Sequence, residues 1–107
     1  MKKISFLFLL LVNLINANAQ CWKSVSGGAQ FTIGIKTDGT MWAWGTNHEG
    51  ELGDSSYVNK NMPSQIGSDN DWQSVSAGSG HTVAIKNDGT LWTWGANELG
   101  VLADSSF

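Results

Sequence analysis

The chain has 107 residues, of which 41% are hydrophobic and 14% charged, and its formal net charge is −3 at pH 7. It contains no arginine. Nucleic-acid binding relies on clustered lysine and arginine that displace phosphate counterions, so this composition argues against a nucleic-acid ligand. The same acidic balance disfavours adhesion to anionic membrane surfaces.

The first 19 residues have the three-part layout of a secretory signal. Lys2 and Lys3 precede an apolar run from Ile4 to Ile15, and Ala17-Asn18-Ala19 forms an A-x-A cleavage pattern. A transmembrane anchor is the alternative, but the apolar run is shorter than the roughly 20 residues that a span needs. We therefore predict a signal peptide helix over residues 1–19 and an exported product, secreted or at the cell surface, with the periplasm as an alternative destination.

Cys21 is the only cysteine, so no disulfide can form within the chain, although export implies an oxidising compartment. A cysteine just after a signal also suggests lipidation of its thiol. We treat this as the minority alternative, because Gln20 is larger than the residue familiar at that cleavage position. Membrane attachment is expected only if Cys21 is lipidated. After cleavage, four lysines would face nine acidic residues, a net charge of −5.

The remaining chain consists of an internal repeat. Residues Trp22 to Tyr57 recur without a gap as Trp72 to Phe107, and 20 of the 36 aligned pairs are identical. Self-similarity at this period is typical of propellers and solenoids, whose units stack to bury a core that none can bury alone. We predict a first repeat with its linker over residues 20–71 and an incomplete second repeat over 72–107.

Each repeat carries strand signals. The segment Thr32–Lys36 alternates, with its two isoleucines on one face, and Thr40–Trp44 places its two tryptophans together in the same way. An Asp-Gly pair between two strands is a strong hairpin signal, since glycine accepts the positive φ of a tight turn. These turn residues are Asp38, Gly39, Asp88 and Gly89. Shorter runs at Trp22–Ser26 and Met62–Ile66 bring the count to four strands per repeat, as in a propeller blade.

All six tryptophans occupy matching positions in the two repeats. They are Trp22, Trp42, Trp44, Trp72, Trp92 and Trp94. Each carries enough apolar area to contribute strongly to a core, and matched spacing is what structural repetition predicts. We therefore predict that they form the core between repeats; an aromatic platform that binds sugars is the alternative.

The repeats resemble those of the regulator of chromosome condensation. That family's pattern of a small-residue turn, His-Thr, an aliphatic strand, Asp-Gly, a Trp-x-Trp-Gly strand, an Asn and a Gly-x-Leu-Gly ending is matched by Gly78 to Leu102. The first repeat matches from Gly28 to Gly53, with Phe31 in place of the histidine, and the second departs at Ala103, where the closing glycine is lost. The resemblance implies an all-β chain that supplies about two blades of a seven-bladed β-propeller.

No residue pattern indicates catalysis, a cofactor or a metal. His81 aligns with Phe31 and is interpreted as packed scaffold, whereas His48 aligns with Glu98 in a loop and is a candidate for a binding face. The segment Asp69-Asn70-Asp71 lacks the glycine and distal glutamate of a calcium loop. Gly78-Ser79-Gly80 lacks the Gly-Lys-Ser/Thr ending of a phosphate loop. We therefore predict a protein that is not an enzyme.

The leading functional hypothesis is an exported scaffold whose loop face binds a protein partner. The family's eukaryotic namesake, a guanine-nucleotide exchange factor that also binds chromatin, offers a second hypothesis, which the export signal and acidic balance disfavour. An inhibitor of an extracellular enzyme, similar to secreted bacterial propellers that bind β-lactamases, is the third. We expect further blades, either from a longer chain of which this is the N-terminal part or by oligomerisation, because at least about three repeats are usually needed for stability.

Overall fold

In the computed structural model, residues 21–97 are described, and they form seven β-strands and no helix. The strands are β1 (Trp22–Gly27), β2 (Phe31–Lys36), β3 (Met41–Gly45), β4 (Lys60–Ile66), β5 (Trp72–Ala77), β6 (His81–Lys86) and β7 (Leu91–Gly95). The predicted signal peptide lies outside this range. Across the described residues, no helix has the length and apolar character that a membrane crossing requires.

The strands form two antiparallel sheets, one for each repeat. The first unit has the order β1-β2-β3-β4, and the second has the order β5-β6-β7 over its described residues. The predicted all-β class and the predicted strands are confirmed, with strand bounds that differ by one or two residues. Pro63 lies in β4, which is an outer strand of its sheet, where a residue without an N–H costs no ladder hydrogen bond on the open side.

The Asp-Gly-Thr-x-Trp motif forms a hydrogen-bonded turn. Asp38 Oδ1 accepts hydrogen bonds from the backbone N–H of Thr40 at 3.0 Å and from its hydroxyl at 2.6 Å, and the Thr40 hydroxyl accepts one from Trp42 Nε1 at 2.9 Å. The hydrogen bonds from Thr40 lower the pKa of Asp38. The same three bonds recur in the second unit among Asp88, Thr90 and Trp92. The motif therefore fixes both the turn and the indole that follows it.

Each sheet has two different faces, which follow from the alternation of side chains along its strands. The front face of the first unit packs against the second unit and is aliphatic: it carries Phe31, Ile33, Ile35, Met41, Ala43 and Ile66, all at most 4% exposed. Its rear face points away from the second unit and carries Trp22, Val25, Thr32, Trp42 and Trp44. Trp22 lies over Gly34, where a larger residue would collide with the indole.

The hydrophobic core lies between the two sheets. The rear face of the second unit contributes Trp72 and Ala84 to the buried cluster, and Val75, Ala77 and Trp94 pack against it. Backbone groups join the units as well: Trp72 N donates to the Gly39 carbonyl at 3.2 Å, and Ala77 N donates to the Ser26 hydroxyl at 2.9 Å. The two repeats therefore pack by covering the front face of the first unit with the rear face of the second.

The expectation that all six tryptophans form core needs correction. Trp72 is 5% exposed, but Trp22 and Trp92 are 40% and 47% exposed, and the other three are partly buried. Trp22 is exposed because the rear face of the first unit has no neighbour among the described residues. Trp92 lies on the covered rear face of the second unit, but it borders an open cleft together with Tyr57. In the first unit, the Lys36 ammonium lies 3.8 Å from the centroid of the Trp42 ring, a cation–π contact.

We expect Trp72→Ala to lower the free energy of unfolding by about 3–5 kcal/mol, because it removes a buried indole from the core between the units. Its repeat counterpart provides the control. Trp22→Ala should cost less than half as much free energy, because Trp22 is exposed. Its remaining ring contact is with Trp44, at 5.7 Å between the ring centroids. Urea unfolding of both variants measures the difference, and equal costs would contradict the asymmetry described above.

Candidate functional site

The connections between strands separate into two ends. The Asp-Gly turns and the 67–71 linker lie at one end, whereas the β1–β2 and β5–β6 connections lie at the other, together with the 14-residue segment that joins β3 to β4. We call this segment, residues 46–59, the long loop. A loop of this length without secondary structure is typically functional.

A buried asparagine organises the long loop. The Asn47 side chain is fully buried, and its amide Nδ2 donates to the Ser56 carbonyl at 2.9 Å and to the Val58 carbonyl at 3.1 Å. Its Oδ1 accepts a hydrogen bond from Leu52 N at 3.0 Å. One side chain therefore ties the middle of the loop to its end, and the loop has a defined conformation without regular structure.

Asp54 provides a second anchor. Its Oδ1 accepts hydrogen bonds from the Ser56 hydroxyl at 2.8 Å and from Asn47 Nδ2 at 3.1 Å, and its Oδ2 lies 3.4 Å from the Lys60 ammonium. Partial burial acts to raise the pKa of Asp54, but the hydrogen bonds from Ser56 and Asn47 and the contact with Lys60 outweigh it, so the pKa is lowered. The ionised form of Asp54 is the one that the folded loop favours.

Glu51 lies at the seam between the two units. Its backbone carbonyl accepts hydrogen bonds from the Thr82 hydroxyl at 2.8 Å and from Trp94 Nε1 at 3.0 Å. Its buried carboxylate bonds back to its own loop, accepting from Glu49 N at 2.8 Å and from the Thr46 hydroxyl at 3.3 Å. The long loop is thus attached to the second unit through its main chain.

Two open clefts flank the long loop. The first has a volume of about 640 Å³, and most of its lining residues have polar side chains, among them Gln30, Thr46, His48, Glu49, Glu51 and His81. The second has a volume of about 510 Å³ and is more aromatic, with Gly53, Ser55, Tyr57, Trp92 and Trp94 along it. Glu49 borders both clefts, so the loop forms the ridge between them.

The ridge exposes apolar side chains to solvent. Tyr57 is 73% exposed and Val58 is 62% exposed. Exposed tyrosines held on a rigid backbone are characteristic of protein–protein contacts, because the ring supplies a large contact area at a low cost in side-chain entropy. Together with the two clefts, these residues form the candidate binding face.

The structure brings the two histidines into one cleft. His48 and His81 come from different repeats, yet both line the first cleft. Among residues 21–97, no group of three or more histidine, cysteine or acidic side chains is placed to hold a metal ion. Cys21, the residue considered for lipidation, is exposed just before β1.

The acidic linker before the second unit forms an ion pair with Lys86. Asp69 Oδ2 lies 2.7 Å from the Lys86 ammonium, and Asp71 Oδ1 lies 3.9 Å from it. The hydrogen bond that the Lys86 ammonium donates to Asp69 is the main cause of the raised pKa of Lys86. Lys86 also lies over the rings of Trp72 and Trp92, at 5.0 and 4.7 Å from their centroids.

Asn47, Glu51 and Tyr57 are not among the residues that the sequence predicts for a binding face. The repeat does mark Asn47, because Asn97 occupies the equivalent position two residues after the last glycine of the Trp-x-Trp-Gly strand. The repeat marks Tyr57 as well, since an aromatic residue, Phe107, recurs at its position. Glu51 aligns with Val101, and its role at the seam rests on a backbone carbonyl, so no side-chain pattern predicts it.

Family models give the clearest comparison with known proteins. Two models of the regulator of chromosome condensation (RCC1) repeat match the chain, one over residues 38–85 and the other over residues 22–51 and 72–101. The second model follows the two repeats in register. No curated protein matches the sequence.

Solved structures share the fold. Human WBSCR16 is 24% identical with a TM-score of 0.72, over 79% of this chain and 22% of that one. Yeast RCC1 (Prp20), in its complex with Kap60, is 24% identical with a TM-score of 0.72, over 82% and 22% of the two chains. Prp20p from Saccharomyces cerevisiae, studied for its binding to Gsp1p and histones, is 22% identical with a TM-score of 0.71, over 82% and 23%. The chain thus spans less than a quarter of each structure.

We expect Asn47→Ala to destabilise the protein by roughly 2 kcal/mol, because it leaves the Ser56 and Val58 carbonyls and the Leu52 N–H without their partner. Asn59→Ala is the matched control. It removes one partly buried hydrogen bond, from Asn47 N, and should cost about 0.5–1 kcal/mol. Amide hydrogen exchange should show lost protection of Leu52 N only in the first variant; equal protection in both would contradict the role of Asn47.

The lowered pKa of Asp54 predicts a pH dependence of stability. A carboxyl whose pKa is lowered by folding stabilises the protein above its ordinary value, near 3.8, and this contribution is lost as the pH falls through the pKa of the folded state. Wild type should therefore exceed Asp54→Asn in stability at pH 7, and the gap should close in acid. Urea unfolding at a series of pH values measures the gap. A difference in stability that keeps its pH 7 size at pH values well below 3.8 would contradict the assignment.

Proposed function

The chain belongs to the RCC1 repeat family, and we propose that it serves as an exported scaffold that binds a protein partner through the long-loop face. Two supports come from the sequence. The N-terminal segment has the layout of a secretory signal, and the repeats contain no nucleophile-and-base pattern. Export and the absence of catalysis are parts of this proposal.

The observation that carries the proposal is a long loop that is both ordered and exposed. Asn47 and Asp54 fix its backbone through buried and partly buried hydrogen bonds, and Tyr57 and Val58 project into solvent. A surface that is ordered before it binds loses little conformational entropy on association. The two clefts beside the ridge offer concave surface into which partner side chains fit.

The structural neighbours support a protein partner in a general way. Yeast Prp20 binds Kap60, and its binding to Gsp1p and histones has been studied. A basic partner such as a histone would suit the acidic character of this chain, which has a net charge of −3 and no arginine. Export would, however, place this protein away from nuclear partners. We therefore propose an extracellular or surface protein as the partner, without specifying its identity.

We expect Tyr57→Ala to weaken partner binding at least tenfold, as is typical for the loss of an aromatic residue at the centre of an interface. Met62→Ala is the matched control, since Met62 is 65% exposed on β4 and lines neither cleft. The measurement is quantitative capture from an extracellular fraction by the immobilised chain, followed by mass spectrometry and titration with the purified partner.

The identity of the captured protein separates the hypotheses. A partner lost with Tyr57→Ala and retained with Met62→Ala supports the proposed face. Recovery of a small GTPase, with accelerated nucleotide exchange, would replace the scaffold with an exchange factor. Recovery of one tightly bound hydrolase whose activity falls on binding would identify an inhibitor. Equal loss in both variants would contradict the assignment of the face.

A further inference from the structure

The first cleft lies on the seam between the two units. The first unit contributes Gln30 and the long loop to its walls, and the β5–β6 connection of the second unit contributes Ser79 and Gly80. Glu49 reaches across the seam, because its Cγ lies 3.6 Å from the place that a Cβ atom on Gly80 would take. The cleft is therefore formed by an internal joint, at which the two units already cover each other.

The residues that line this cleft are those in which the two repeats differ. Four lining positions of the long loop change in the second repeat: Thr46 to Ala96, His48 to Glu98, Glu49 to Leu99 and Glu51 to Val101. The three positions between them that fix the course of the loop do not change: Asn47, Gly50 and Leu52 recur as Asn97, Gly100 and Leu102. The backbone frame of the loop is thus repeated, whereas the side chains that face the cleft belong to the first repeat alone.

Glu51 is a buried acid without a cation. The residue is 4% exposed, and its carboxylate accepts hydrogen bonds from two neutral donors, the Glu49 N–H and the Thr46 hydroxyl. The lysine ion pairs within residues 21–97 lie elsewhere, at Asp54 and in the 67–71 linker. Buried charges are normally paired, because removing a charge from water is costly unless another charge compensates for it. The Glu51 carboxylate therefore has capacity for a cation that the described residues do not supply.

The stacking of the units does not require this carboxylate. The seam uses the backbone carbonyl of Glu51, which accepts hydrogen bonds from Thr82 and Trp94. In the second repeat an aliphatic residue takes the position of Glu51, and alanine takes the position of Thr46, so the acid and its hydroxyl partner occur together in one repeat and are both absent from the other. A polar pair that the fold can omit indicates a role in binding.

The charge of the cleft is negative. Glu49 and Glu51 both line it, and no lysine is among its described lining residues. The cleft is open and has a volume of about 640 Å³, so a long side chain of a partner can enter it. Gln30, together with His48 at the exposed edge of the loop, adds hydrogen-bonding groups beside the two carboxylates. A cationic group is the ligand that this arrangement complements.

We propose that the first cleft binds a basic side chain of the protein partner, a lysine or an arginine, with the buried Glu51 and the exposed Glu49 carboxylates as its counter-charges. This inference rests on the proposed function, since it states the chemistry that the partner presents to one of the two clefts. A basic side chain gives Glu51 the cation that it lacks, and hydrogen bonds between ionised groups are stronger than those between neutral groups. A neutral polar ligand would leave both carboxylates uncompensated.

Short blocked peptides test the cleft without the partner. The probes are two tripeptides with a central arginine or lysine between glycines, and the same tripeptide with glutamine is the neutral probe. Each is titrated into the chain at low ionic strength while the backbone amide resonances of Glu49, Glu51 and Gly80 are followed by NMR. We expect saturable shifts with the two basic peptides, weakening as salt is added, and none with the glutamine peptide.

Glu51→Gln and Glu49→Gln each remove one of the two charges. An amide at position 51 keeps both loop hydrogen bonds, because its oxygen accepts from Glu49 N and its NH2 group donates to the Thr46 hydroxyl, so this variant should fold. Asp71→Asn is the matched control, since it removes the same charge in the linker at the other end of the strands. Each glutamate variant should bind the arginine peptide about tenfold more weakly or worse, and Asp71→Asn within about twofold of wild type.

Shifts that occur with the basic peptides, are lost in both glutamate variants and are retained in Asp71→Asn support the proposal. Equal shifts with the glutamine peptide, or an affinity that the glutamate variants leave unchanged, would overturn it. The captured partner separates this inference from the proposed function. A partner that Tyr57→Ala weakens and Glu51→Gln does not would retain the long-loop face and remove the basic side chain from it. Peptide binding with no captured protein would support the cation site and contradict the proposed function.

Discussion

The structure depends on one constraint: a sheet of three or four strands cannot bury its own aliphatic face. Ile33, Ile35 and Met41 are excluded from water by a cluster that includes Trp72 and Ala84 of the next sheet and Leu52 of the long loop. A single unit without this cover would expose a large apolar patch, which soluble proteins rarely tolerate. Stability in this architecture therefore belongs to pairs of units rather than to units, as in other repeat proteins.

The same constraint explains why aliphatic residues dominate the front face and tryptophans dominate the rear face. One large indole, Trp72, packs against the aliphatic front face of the first unit. It also contacts the rings of Trp92 and Trp94, at centroid distances of 6.2 and 5.9 Å. Lys86 adds a cation over this cluster and is itself held by Asp69. The rear face thus combines apolar area with a polar border, and this combination allows it to meet either a neighbour or solvent.

The sequence was sufficient to predict the fold because each local strand and turn pattern occurs in both repeats. The alternation around Ile33, the Asp-Gly turn and the Trp-x-Trp strand are local patterns, and the structure confirms the strands that they predict. Burial was harder to predict, because Trp22 and Trp72 are the same residue in the same local pattern and differ only in what lies beside them. The candidate site was the least predictable part, since the long loop is ordered by contacts between residues as far apart as Asn47 and Val58.

The attachment of the long loop through the Glu51 carbonyl has an evolutionary consequence. Thr82 and Trp94 donate to an atom that every amino acid possesses, so the joint between units does not depend on which side chain occupies the loop. A duplicated unit is then free to acquire new loop residues without losing its place beside its neighbour. The replacement of His48 by Glu98 and of Glu51 by Val101 within this one chain is consistent with such divergence. Binding specificity can therefore change one unit at a time while the stacking of units stays the same.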